Sequence, residues 1–169
     1  MIRLLKENED AYDGFIIACH SDPNLDMMKE ITAKPVVGIG EASMKIASML
    51  GHKFSVISDN IHSIPNKEDL ARKYYLDKNL ASVIAPQEMA KTDNAINMYA
   101  EVSKKAVKED GAEVLVLGCA GLTGMDKSLQ SIVGAPVLDG IICALIIVSG
   151  LIQYGISTSK IRKYNPHAD

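Results

Sequence analysis

The sequence predicts an α/β fold built on parallel sheets, and three observations carry that reading. Short apolar, β-branched runs alternate with segments of helical periodicity along the chain. The runs are continuously apolar, the pattern of strands covered on both faces. The order strand, cysteine, helix, proline-led strand, helix also occurs twice, spanning Cys19 to Pro35 in one copy and Cys119 to Pro136 in the other.

The elements follow in order. Met1 to Asp10 is too charged and too short for a signal peptide. Gly14-Phe15-Ile16-Ile17-Ala18 is a buried strand ended by a polar turn. Asp22-Pro23 predicts an N-cap and an N1 proline for a helix carrying Leu25, Met28 and Ile31 or Thr32 on one stripe. Pro35 to Ile39 is the next strand, and Glu41 to Leu50 is a helix closed by Gly51. Phe54 to Ser58 (strand), Asn66 to Asn79 (helix), Leu80 to Ala85 (strand) and Thr92 to Glu109 (helix, ended by Gly111) come next. Val114 to Leu117 (strand), Met125 to Val133 (helix), Pro136 to Leu138 (strand) and Ile141 to Ile152 (helix) complete the pattern. The junction falls near Gly51-His52-Lys53. It divides the chain into two related half-domains, 1–51 and 52–169, with two strands in the first and four in the second. The last helix is free to pack back on the first half.

Composition excludes several classes. The 169 residues are enough to bury roughly 70% of the unfolded surface without metal or disulfide staples. Lys+Arg is 18 against Asp+Glu 21, a net charge of −3, so no basic footprint for nucleic acid is present. There is no Trp, and two Phe leave little for base stacking. Three dispersed cysteines do not form a secreted disulfide framework, which points to the cytoplasm and reduced thiols. The longest uncharged stretch, Gly140 to Ser159, has its apolar centre at Ile141 to Val148. A centre that short reads as a buried helix rather than a membrane span.

The cysteines carry the chemistry. Ligands of parallel sheets bind just beyond the carboxyl ends of the strands, where Cys19 and Cys119 both fall. A helix start there is expected to lower a thiol's pKa. The loop Ala120-Gly121-Leu122-Thr123-Gly124 can fold N–H groups around a carboxylate or imide. Two thiols bracketing one small molecule suit proton abstraction alpha to a carbonyl on one face and proton delivery on the other. That inversion needs no cofactor or metal. The plainer reading is that cysteine is often a small core hydrophobe. It fits Cys143, set between Ile142 and Ala144 in an apolar helix. His20 can tune Cys19, although a solvated loop histidine is the simpler reading. Gly38-Ile39-Gly40-Glu41-Ala42-Ser43 departs from a dinucleotide fingerprint at Ser43 and places Glu41 against a pyrophosphate, so its glycines read as a tight strand-to-helix turn. His52 and His62 carry no spacing that implies chemistry, and Lys104 to Asp110 reads as a solvated helix face.

At Ala18-Cys19-His20-Ser21-Asp22-Pro23, Val36 to Ala42, Leu50 to Ile57 and Leu117-Gly118-Cys119-Ala120-Gly121, the chain resembles the hydantoin racemase branch of the aspartate/glutamate racemase superfamily. The resemblance implies two pseudo-symmetric α/β domains with the active site between them and catalytic cysteines at Cys19 and Cys119. It implies substrate contacts from the backbone around His20, Ser21, Ala120 and Gly121, together with Ser58 and Asp59. The family opens with a strand and an Asn-Pro-Asn-like loop, whereas this chain begins within a later helix, so the first half-domain is expected to be N-terminally truncated. The family's paired threonines are Ser58-Asp59 here, and the Asp59 carboxylate is expected to repel an anionic substrate. His62 stands where an arginine is common. The expected function is a cofactor-independent racemase of hydantoins or related ureides and amino acids. It would act on a small-molecule substrate, in the cytoplasm, as a homo-oligomer. The alternatives are a truncated member that only binds or oligomerises, and a decarboxylase or isomerase of small diacids on the same scaffold.

Overall fold

The computed structural model describes residues 1–87 and 95–166. Its strands form two parallel sheets. A helix α1 (Ile2–Asn8) precedes β1 (Phe15–Ile17), α2 (Leu25–Ile31), β2 (Val36–Gly38) and α3 (Ile39–Leu50). There follow β3 (Phe54–Ile57), α4 (Ile64–Lys73), β4 (Leu80–Ile84), α5 (Ala95–Lys108) and β5 (Val114–Leu117). The chain continues through α6 (Asp126–Val133), β6 (Val137–Leu138) and α7 (Gly140–Tyr154). The expected helix start at Thr92 lies outside the described residues.

β1 pairs with β2, and the second sheet has the order β4-β3-β5-β6. The repeat seen in the sequence is present in three dimensions. Phe15 pairs with Val36 and Ile16 with Val37 in one sheet, as Leu115 does with Val137 and Val116 with Leu138 in the other. The continuously apolar runs have the predicted cause. Val114 and Val116 pack with Phe54 and Val56 against Met44, Ala47, Leu70 and Ala71 on one side. Leu115 and Leu117 pack against Tyr99, Ala106 and Leu129 on the other. Each large apolar side chain fully buried in this way stabilises the fold by about 1.5–3 kcal/mol. α7 packs along α3, with Cys143, Ala144 and Val148 against Val37, Ile39 and Ala42. Cys143 is therefore a core residue, 3% exposed.

Two expectations about helix ends are corrected. Asp22 does not cap α2, whose N-cap is Asn24 in the left-handed region without a side-chain bond. Its carboxylate instead accepts from the Gly40 and Glu41 N–H groups, at 3.0 and 2.6 Å, and so caps α3 from across the fold. α4 ends at Lys73, not Asn79. Tyr75 adopts a positive φ of 60°, and Tyr75 N–H and Leu76 N–H return to the carbonyls of Arg72 and Ala71. That is a Schellman closure made without glycine.

Candidate active site

The loop after β1 carries Cys19, which is exposed, and the loop after β5 carries Cys119, which is half-buried. Gly118 sets the second loop's approach: a Cβ there would lie 2.8 Å from Val56 Cγ1 and 2.9 Å from the Ile57 carbonyl oxygen. Cys119 opens a 3-10 turn over Ala120–Leu122, and its Sγ accepts from the Gly121 N–H at 3.4 Å.

A buried carboxylate holds each loop to a helix start. Asp22, in the Cys19 loop, reaches the N-terminus of α3 and also accepts from the Tyr74 hydroxyl at 2.6 Å. Asp139, at the N-cap of α7, accepts from the Ile141 N–H at 2.8 Å and from the Gly124 N–H of the Cys119 loop at 3.0 Å. The glycines of Gly38-Ile39-Gly40 are explained by this arrangement, since a Cβ on Gly38 would lie 2.2 Å from Asp22 Oδ1. Glu41 pairs with Lys29 and Lys45, at 2.6 and 2.7 Å.

The predicted site residues separate into groups. Ala120 and Gly121 form the turn beside Cys119. Asp59 lies beside Cys119 and raises its pKa both as a charge and as a hydrogen-bond partner. Ser58 is fully buried, and its hydroxyl donates to the Asn60 carbonyl at 3.1 Å. Ser21 is exposed and borders a shallow depression with Asn66, Asp69 and Lys73. His20 is not a solvated loop histidine: it is 1% exposed, with Nε2 3.3 Å from Ser43 Oγ. Burial, aided by the charge of Lys67, pushes its pKa down to about 3, so the ring is neutral.

The expected lowering of the thiol pKa is also corrected at Cys119. Burial pushes this thiol up and Asp59 adds to the effect, while the Gly121 N–H and Lys67 only partly oppose them. The turn that follows spans three residues and offers one bonded N–H. The sequence reading missed Lys67. It is 4% exposed on α4 and interacts electrostatically with Asp59, Cys19, Cys119 and Asp22. The available signal was its spacing, three and four residues before the core positions Leu70 and Ala71.

The chain matches the family model of the Asp/Glu/hydantoin racemases over residues 1–146. It belongs to that family. It is 36% identical over 164 residues to a hydantoin racemase from Pseudomonas sp. (strain NS671), covering 94% of this chain and 66% of the relative. The chain thus spans just under two thirds of that racemase's length. An allantoin racemase from Pseudomonas fluorescens matches with a TM-score of 0.88 and 32% identity, over 98% of this chain and 74% of that one. The allantoin racemase from Klebsiella pneumoniae matches with a TM-score of 0.91 and 28% identity, over 99% and 71%. The predicted Asp/Glu racemase-type α/β fold is therefore the observed one. Among the described residues, no helix is long and apolar enough to cross a membrane.

Proposed function

We propose that this racemase-family chain inverts the stereocentre of hydantoins or related ureides and amino acids without a cofactor, with Cys19 and Cys119 as its two acid–base groups. The observation that carries the reading is the duplicated unit: each copy places one cysteine just beyond the carboxyl end of a parallel strand. Relatives named hydantoin and allantoin racemases support the substrate class. One thiolate takes the proton alpha to the carbonyl, breaking C–H and forming S–H. The electron pair moves into the enolate of the imide ring. The opposite thiol gives its proton to the other face, and the charge ends on that sulfur. Atoms and charge balance within the two thiols and the substrate.

Cytoplasmic residence and self-association belong to the same reading, supported by three free thiols and, among the described residues, a β1 edge that no strand pairs. The test is solvent exchange in D2O with each enantiomer of a 5-substituted hydantoin and of allantoin. Cys19→Ser and Cys119→Ser should each end racemisation. Each should still label one enantiomer with retention, and the two variants should prefer opposite enantiomers. Variants that racemise at near wild-type rates would overturn the two-thiol mechanism.

A further inference from the structure

Among the described residues, those with a positive φ that are not glycine are Asp22 at 45°, Asn24 at 57° and Tyr75 at 60°. L side chains seldom adopt that region, and it persists where the surrounding contacts over-determine it. All three flank one hydrogen bond, in which the Tyr74 hydroxyl donates to Asp22 Oδ2 at 2.6 Å. Asp22 and Asn24 belong to the loop after β1 that carries Cys19, and the Asp22 N–H closes a turn onto the Cys19 carbonyl at 2.9 Å. Tyr74 ends α4, a helix packed on the sheet whose β5 leads into Cys119. Its ring packs against both the cluster of Phe54, Leu70 and Val114 and that of Leu25, Met28 and Val36. Lys45 of α3 and Lys73 of α4 lie over the ring, at 5.8 and 5.7 Å from its centre. Burial and the charge of Asp22 keep the hydroxyl protonated, so it donates.

We propose that Tyr74 is a positioning residue for the Cys19 thiol: its bond to Asp22 ties the loop after β1 to α4 and thereby sets where Cys19 stands relative to Cys119. This deepens the racemase reading and, for its catalytic half, rests on it. Two acid–base groups that serve opposite faces of one carbon need a fixed separation, and a misplacement of about 1 Å can cost on the order of a hundredfold in rate. The Gly40 and Glu41 N–H groups hold the Asp22 carboxylate to α3, which follows directly on β2 of the same small sheet as β1. The third donor, Tyr74, reaches it from the side of the four-stranded sheet. Cys119 is placed without Tyr74: Gly118 lets its loop approach Val56 and the Ile57 carbonyl, and Asp139 holds the Gly124 N–H. Losing the Tyr74 hydroxyl therefore loosens one thiol and spares the other.

The experiment uses Tyr74→Phe, which keeps the ring and its packing and removes the donor. Amide hydrogen exchange, read by peptide mass spectrometry, should quicken roughly tenfold over residues 19–22, because a hydrogen bond to a charged group has gone. Peptides covering residues 118–124 and β5 should exchange as in wild type, with β5 reporting an intact fold. For the catalytic half, deuterium exchange from D2O into each enantiomer of a 5-substituted hydantoin and of allantoin is followed in two backgrounds. Added to Cys119→Ser, where Cys19 alone works, Tyr74→Phe should slow the single-face exchange about ten- to a hundredfold, in kcat rather than KM. Added to Cys19→Ser, where Cys119 alone works, it should change the exchange by less than about twofold. A tyrosine that only stabilised the fold would act on both backgrounds alike. Equal effects in the two backgrounds, no effect in either, or unchanged amide exchange at residues 19–22 would overturn the proposal. Amide exchange quickened at residues 19–22 alone, in a protein that racemises neither substrate, would uphold the tether and defeat the function proposed above.

Discussion

At Cys119 burial outweighs one N–H donor, which is why a strand-end position alone does not make a reactive thiol. The same contest, decided more heavily, acts on His20. Its ring is neutral in the folded protein and takes a proton near the ordinary value of 6.5 once unfolded. The folded value is depressed, so its stabilising contribution is complete above about pH 6.5 and declines as pH falls toward 3. The full span is on the order of 5 kcal/mol. Burial raises the Asp22 pKa, and that effect acts with the opposite sign. A comparison with His20→Gln isolates the histidine. Denaturant midpoints from pH 7 to 3.5 should fall more steeply in wild type than in His20→Gln, and parallel curves would refute the assignment. The sequence placed His20 in a polar turn and could not show its inward orientation. Its partner Ser43 lies 23 residues away, and only the packing of β1 beside β2 brings them together.

Local patterns gave every strand in the described residues to within two residues, because runs covered on both faces are apolar throughout. Helix ends were less legible where a tertiary contact replaced a local cap. Nothing near Asp22 in sequence says that it caps a helix starting 17 residues later at Ile39. The stop at Lys73 depends on a tyrosine adopting a conformation more often left to glycine. Two glycines test this account with opposite signs. In Gly38→Ala the new methyl would displace the Asp22 carboxylate and leave buried N–H groups of α3 unpaired, a loss of about 2–4 kcal/mol. In Gly150→Ala, inside α7, nothing lies within 4 Å of the new methyl, so helix propensity alone should add roughly 0.5–1 kcal/mol. Thermal and urea unfolding of both variants would check it, and equal effects of the two would count against the capping role.

For the whole molecule, strand identities were readable but strand order was not. Parallel pairing by crossover leaves β3 between β4 and β5, an arrangement that no local run encodes. Among the described residues β1 pairs with β2 alone, and beside it runs an apolar groove of about 460 Å³ lined by Leu4, Leu5, Tyr12, Phe15 and Met28, among others. An unpaired edge next to apolar surface favours association. Sedimentation should show a mass that grows with concentration, and Leu4→Glu should reduce it. A single monomeric boundary at all concentrations would refute the expectation. The contact between α3 and α7 has a different consequence. A Cβ on Gly140 would lie 3.1 Å from the Ile39 carbonyl oxygen, so the two helices lie side by side with their starts together. Two positive macrodipole poles are thereby placed side by side, an arrangement that repels. Asp22 at one start and Asp139 at the other supply the compensating anions, and these are the carboxylates that hold the two thiol loops. The seam between the repeats is thus an electrostatic quadruplet, two positive poles with two counter-anions.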